Sequence, residues 1–278
     1  MFGALLQRIR RRSPVDLAGW AITGLVLIFL VAPVIVVIPL SVTSGQLLVF
    51  PLPGYSLRWY QDFFSNPLWT GALWNSVKIG LATTVCATIL GTLAALGLHR
   101  SKSRLKPLIL ALLLTPLAIP VVVIAVATFY YFALLNIVGT FLGLIIAHTV
   151  LALPFVVITV SATLQGFDPT LTRAAASLGA SPLFGFRTVT LPLIAPGVVS
   201  GALFAFVTSF DEIIVALFIA SPQQRTLPRQ IFSGVSESVS PTITAAAVIL
   251  LIITTALMGV MELLRRRAER MKQSGTNT

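Results

Sequence analysis

Residues 107–167 read PLILALLLTPLAIPVVVIAVATFYYFALLNIVGTFLGLIIAHTVLALPFVVITVSATLQGF, without one Asp, Glu, Lys or Arg. A membrane-crossing helix takes roughly 20 mostly apolar residues to cover about 30 Å of hydrocarbon. This run is about three times that long, so it holds two spans with a tight turn near Asn136 to Gly139. Outward from it, four more segments meet the same criterion. The expectation is an all-α membrane protein with six transmembrane helices at about 17–40, 74–98, 107–133, 140–164, 193–220 and 241–263.

Composition agrees: 56% of residues are hydrophobic, 10% are charged and mean hydropathy is +0.97. That is more apolar than a soluble core needs, so the bilayer is the main solvent. The net charge of +11 would suggest nucleic acid in a soluble protein. Here the basic residues sit in short clusters between apolar runs, so no nucleic-acid partner is expected. The single cysteine, Cys86, lies in an apolar run. It excludes an internal disulfide or a cysteine-cluster metal site and reads as a buried, inert thiol. The basic start raises a signal peptide, but the apolar stretch at about 17–40 is too long for one and no small-residue cleavage site follows, so it reads as a retained helix.

Lys and Arg accumulate on the cytoplasmic side of a membrane protein. Arg8, Arg10, Arg11 and Arg12 precede the first helix, and Arg100, Lys102, Arg104 and Lys106 join the second to the third. Arg173 and Arg187 join the fourth to the fifth; Arg265, Arg266, Arg267, Arg270 and Lys272 follow the sixth. Arg58, Lys78, Arg225 and Arg229 fall on the other side. Both termini are therefore expected in the cytoplasm. The long external connection, about 41–73, is rich in Pro, Gly and aromatics (Phe50, Tyr55, Trp59, Trp69), and reads either as a loop along the headgroups or as a contact for an external partner.

The second long connection, QGFDPTLTRAAASLGASPLFGFRTVTLP (165–192), is cytoplasmic by the same rule. Asp168 before Pro169 is a helix N-cap with Pro at the first helical position; the helix runs to Gly179, and Ser181-Pro182 starts a second one. The product is a helix-turn-helix elbow, about 168–192, whose Leu171, Ala174, Ala175 and Leu178 can seat against a partner.

These residues resemble the inner-membrane permeases of ATP-binding-cassette (ABC) importers, whose cytoplasmic signature is Glu-Ala-Ala, three residues, Gly, nine residues, Ile-x-Leu-Pro. Ala174-Ala175, Gly179 and Leu191-Pro192 fall at those spacings, with Val189 at the Ile position and Arg173 at the Glu position. Further phrases are similar to the polyamine (spermidine and putrescine) branch: IIAHT (145–149), LPFV (153–156), SFDEIIV (209–215), and Leu227-Pro228 with Ile231-Phe232 and Val239-Ser240-Pro241. The resemblance implies a type I importer permease fold with both termini inside: a basic cytoplasmic tail at 1–16, a six-helix permease domain over 17–264 and a basic cytoplasmic tail at 265–278. It also implies that the elbow is a coupling helix, with Arg173, Ala174, Ala175, Leu178, Gly179, Leu191 and Pro192 meeting a cytoplasmic ABC ATPase dimer. The other partners implied are a second permease subunit, a periplasmic solute-binding protein and the bilayer of a bacterial inner membrane. No cofactor is expected in this chain; ATP and Mg belong to the ATPase, in keeping with the lack of a Gly-x-x-x-x-Gly-Lys-Ser/Thr loop here.

Carboxylates in a span are costly and usually face a cavity. Asp211 and Glu212, toward the outer end of the fifth helix, either attract an ammonium group entering the pathway or cap a helix break near the external surface. Tyr130, between Phe129 and Tyr131, could complete an amine site by cation–π contact or serve as packing. His148 reads as a neutral, hydrogen-bonded histidine. Pro33, Pro116, Pro120, Pro154 and Pro196 are expected to kink helices. No catalytic residue or metal-ligand set is expected: there is no Gly-x-Ser-x-Gly or His-Glu-x-x-His. A cation channel would use Asp211 but has no use for the elbow, and ferric iron, thiamine or another small solute is the alternative cargo to a polyamine.

Overall fold

The computed structural model describes residues 14–237 and 240–274. The arginines of the expected N-terminal tail (Arg8, Arg10, Arg11 and Arg12), Val239 and the last four residues lie outside them. Among the described residues five helices are long and apolar enough to cross a membrane, or six when one bent pair counts as a single span.

α1 (Pro14–Ser41) is apolar on every side, and none of its most hydrophobic stretch is buried in the chain. It depends on surroundings outside the chain to cover it. The connection that follows is more than a surface loop. It carries α2 (Arg58–Ser65), and α3 (Pro67–Arg100) starts at Pro67 rather than near 74, because the Asn66 side chain caps it by accepting from Leu68 N–H at 3.0 Å. Trp59 Nε1 donates to the Thr43 carbonyl (2.8 Å), and Asp62 accepts from the Thr242 hydroxyl (2.7 Å), so the connection folds down onto the start of the last helix.

The expected third span is not one straight rod. α4 (Lys106–Ala118) and α5 (Val121–Leu134) meet at 103°. Pro120 has no N–H to continue the ladder, and its ring drives Ile119 into extended backbone at φ −86°, ψ 134°. The turn after α5 falls where expected, with Asn136 (φ 56°) and Gly139 (φ 71°) in the left-handed region. α6 (Phe141–Gln165) then begins with Thr140 Oγ1 accepting from Gly143 N–H at 3.0 Å. α7 (Pro169–Ser177) and α8 (Pro182–Gly185) form the elbow. α8 continues through a π-helical turn, Phe186–Thr190, into α9 (Leu191–Phe210), so that Pro182–Phe210 is one rod. The wider turn accommodates Pro192, which has no N–H to offer the preceding turn.

The fifth span also departs from expectation: α9 stops at Phe210, and α10 (Ile214–Ile219) resumes after a break at Asp211–Ile213. α11 (Leu227–Glu237) crosses the same end, and α12 (Pro241–Ser274) runs on past 263 and packs along α1.

α6 is the axis, lined along its length by α3 and α9. Near the elbow the core is Ala87, Ala95, Val156, Val160, Leu164 and Ile194; at the opposite end it is Leu144 and Ala147 with Ala125, Phe132, Val215 and Ile219 from α5 and α10. Close approach depends on glycine. A Cβ at Gly201 would stand 3.1 Å from the Val156 Cα, and one at Gly91 would meet the Val156 side chain from the other side. Cys86 is exposed, against expectation: α3 turns Thr83 and Ala87 inward, and Cys86, about 100° around the helix from Ala87, points out.

Gly201→Val therefore collides with the Thr159 hydroxyl and crowds the Val156 backbone, which cannot turn aside as a side chain can. It is expected to cost about 1–3 kcal/mol and to lower the unfolding midpoint of the detergent-purified protein, while Gly97→Ala, which meets open space, causes no loss.

Candidate functional site

Two places concentrate polar chemistry, one at each end of α9. At the first, the elbow, each helix begins as its sequence dictates. Asp168 accepts from the Thr170 N–H (2.8 Å) and hydroxyl (2.6 Å), and these bonds hold its carboxyl below the ordinary carboxylate range. Ser181 Oγ accepts from the Phe184 N–H at 3.3 Å to start α8. Between them α7 closes with Gly179 at φ +85°: Ala180 N–H bonds to the Ala175 carbonyl and Gly179 N–H to that of Ala176, both at 3.0 Å. This pair of bonds is the Schellman termination, which needs a residue that tolerates the left-handed region.

The elbow leaves its apolar side chains outside. Leu178 is 88% exposed, and Leu171, Leu183 and Phe184 are exposed with it. Ala175, Leu178, Gly179 and Phe184 line an open concavity of about 540 Å³. Ala174 is exposed beside them, whereas Leu191, half-buried, and Pro192, exposed, lie along the Pro182–Phe210 rod. Arg173 is exposed, and it shares a recess of about 310 Å³ with Arg100 from the last turn of α3.

The second place is the break in the fifth span. Asp211 terminates α9, its N–H bonded to the Val207 carbonyl, and the residue is exposed. Glu212 is 9% exposed and points the opposite way: Oε1 accepts from Val215 N–H (3.0 Å) and Oε2 from Ala216 N–H (3.1 Å). A buried carboxylate is tolerated only when hydrogen-bonded, and these two amides are among those that α10 leaves without an intrahelical partner. Adjacent carboxylates thus meet opposite helix ends. Glu212 lies at the positive N-terminus of α10 and Asp211 at the negative C-terminus of α9, so Asp211 deepens a negative potential that nothing in its own helix offsets.

His148, fully buried on α6, stands behind the break. Its Nδ1 is 2.8 Å from Ser209 Oγ on the last turn of α9, and its Nε2 is 3.8 Å from Glu212 Oε2. The phrases IIAHT and SFDEIIV are therefore one site in space, a pairing that no linear spacing could reveal. Glu212 caps the start of α10, as the second sequence reading has it, and Asp211 is exposed at the end of α9. Tyr130 is 68% exposed on α5 and packs edge-on to Phe129, 5.7 Å between centroids; among the described residues no hydrogen bond or ring contact joins it to Asp211 or Glu212.

Arg225 and Arg229, on the same side of the membrane as the break, are committed to the loop that follows α10. Arg229 Nη1 donates to the Ala220 (2.7 Å) and Ser221 (3.1 Å) carbonyls, and Arg225 Nη1 to Gln230 Oε1 (2.8 Å). Asn75 and Ser76 of α3 fasten the loop through bonds to Gln223, Arg225 and Leu227. Among the described residues no group of three or more His, Cys, Asp or Glu side chains could hold a metal ion.

Residues 87–270 match the model of a family described as the binding-protein-dependent transport system inner membrane component. The spermidine/putrescine transport system permease protein PotC of Haemophilus influenzae is 35% identical over 214 residues, 77% of this chain and 83% of that one. The putrescine transport system permease protein PotI of Escherichia coli (strain K12) is 33% identical over 247 residues, 86% of this chain and 88% of that one. Among solved structures, a bacterial alginate ABC transporter in complex with its alginate pentasaccharide-bound periplasmic protein has a chain that aligns with a TM-score of 0.71 at 17% identity, covering 95% of this chain and 97% of that one. That likeness concerns the fold.

For the elbow, Gly179→Val is expected to cost about 1–2 kcal/mol, since a side chain must adopt the left-handed region. Hydrogen exchange over 169–180 should accelerate while that of α6 stays slow.

Proposed function

The chain belongs to the family of binding-protein-dependent transport system inner membrane components, and on that premise we propose that its solute is a polyamine such as putrescine or spermidine, met at the outer end of the pathway by Asp211. It is a permease subunit of an ABC importer, a transport component and not an enzyme. Such permeases work with ATPase subunits, which bind ATP and Mg, and with a periplasmic binding protein.

The observation that carries the solute reading is the split of the two carboxylates. A span that is otherwise free of charge exposes one acid, at the negative end of a helix, while its neighbour is occupied by backbone amides. A small polycation is the solute class that gains from that potential. Relatives named for spermidine and putrescine at 33–35% identity support the same reading. Arg225 and Arg229 each direct one Nη1 into the loop, to Gln230 and to the Ala220 and Ser221 carbonyls, and keep their positive charge, so Asp211 attracts the polycation against them.

Within the complex, we place both termini and the elbow in the cytoplasm, with Ala174, Ala175, Leu178 and Gly179 seated in a groove of the ATPase and a different chain as the second permease. ATP-driven closure of the ATPase dimer draws the elbows together and turns the pathway outward; hydrolysis reverses it. Arg173 with Arg100 makes the edge of this contact cationic, so the groove is read as carrying a carboxylate opposite them.

Uptake of labelled putrescine and spermidine into cells tests the solute. Asp211→Asn is expected to raise KM about 2–5-fold, the worth of one partly screened ion pair, with little change in Vmax; no loss of uptake on deleting the gene would remove the polyamine assignment. Arg173→Glu should cut uptake and solute-stimulated ATP hydrolysis about tenfold or more, while Arg173→Lys retains most of both.

A further inference from the structure

One side chain faces both sides of the break at Asp211–Ile213. His148 reaches back to Ser209, two residues before Asp211, and forward to Glu212, the residue after it. Ser209 belongs to the last turn of α9, and Glu212 is the group whose two oxygens fasten the first amides of α10. The imidazole is fully buried, and its Nε2 has no hydrogen-bond partner among the described residues. One arrangement pairs all three groups: the Ser209 hydroxyl donates to Nδ1, and the proton sits on Nε2, facing the Glu212 carboxylate. At 3.8 Å the second contact is longer than a hydrogen bond. A small approach of α10 toward α6 would close it.

We propose that His148 is a positioning residue for solute capture: it bridges Ser209 and Glu212 across the helix break and thereby fixes the gap from which Asp211 faces the pathway. The bridge explains why the break can be sharp. Around it, α10 packs on α5 and α6 through Val215, Ala216 and Ile219, which are apolar and supply contact without direction. The Gly139 N–H fixes the far end of α10 through the Ile219 carbonyl (2.8 Å); at the near end, beside the break, the imidazole is the group of α6 that faces both helix ends. Without it Glu212 still caps α10, but the separation of α9 from α10 has no polar restraint from α6.

The inference rests on Asp211 as the solute-facing carboxylate, so the test reads the geometry of the break separately from the solute. In a Cys86→Ser background Asp211→Cys is the only thiol, and its alkylation by a membrane-impermeant reagent in intact cells reports how residue 211 is presented. Adding His148→Ala is expected to change that alkylation rate at least threefold. In the native background His148→Ala should raise the polyamine KM to the level of Asp211→Asn, the double variant should be no worse than either, and His148→Gln, which keeps a polar group toward Ser209, should recover part of the loss. An unchanged alkylation rate with an unchanged KM in His148→Ala overturns the proposal. If His148→Ala does not accumulate in the membrane, Ser209→Ala, which removes one arm of the bridge, is judged by the same two readouts. If Asp211→Asn leaves KM unaltered, the solute reading fails, and the alkylation rate alone decides whether the bridge sets the break.

Discussion

Backbone amides and carbonyls have no water to turn to inside hydrocarbon, and each one left unpaired costs several kcal/mol. Every interruption of a spanning helix must therefore be answered by some other group. In this chain the interruptions are few and each has an identifiable answer. At Ile119 and Pro120 the proline brings no amide to satisfy, and Ile119 N–H still reaches the Thr115 carbonyl. At Phe186–Thr190 the helix is never opened, because the ladder widens to a π turn. At Asp211–Ile213 a carboxylate takes over the amides of the next helix, and two arginine bonds meet the carbonyls beyond that helix.

Both sharp breaks feed the same cluster. α5 follows the bend at Pro120, α10 follows the break at Asp211, and the two short helices pack on each other and on the outer part of α6. The elbow half is built differently, from long helices in contact at Gly91 and Gly201. One half therefore consists of short segments joined at interruptions and the other of continuous rods. A rod that runs unbroken from Pro182 to Phe210 connects the elbow to the break. In the proposed complex, displacement of the elbow by the ATPase is carried to the Asp211 end by a continuous element, and the break lies beyond it.

The number and type of helices, the elbow and the family were legible in the residues, and for physical reasons. Asp168-Pro169 and Ser181-Pro182 are local signals, because a cap is a bond between near neighbours; Gly179 is local as well, because only its own φ is at issue. The start of α3 was misplaced because Asn66-Pro67 is an equally good cap followed by residues that are not apolar enough to read as a span. Helix breaks at Pro120 and Asp211 were harder, since a proline or carboxylate in an apolar run is compatible with a kinked but continuous helix. Which outcome prevails is decided by packing: α10 turns away because α5 and α6 offer it an apolar seat. Cys86 was misread for a related reason, since an apolar neighbourhood in sequence does not say which side of the helix faces the lipid.

The partnership of His148 with Ser209 and Glu212 lay beyond linear reading, yet it changes what the adjacent acids mean. Taken as a pair, Asp211 and Glu212 suggest a doubly charged entrance. With Glu212 bonded to two amides at the N-terminus of α10 and the neutral His148 beside it, that carboxylate is occupied within the fold. Asp211 is left as a single exposed acid at a helix C-terminus, where the dipole adds to its charge. A single acid can attract an ammonium group without holding it, whereas two converging carboxylates in a low dielectric would bind it tightly and slow its release. An importer takes its solute from a binding protein and must pass it on, so the one-carboxylate entrance proposed for Asp211 is the arrangement suited to turnover.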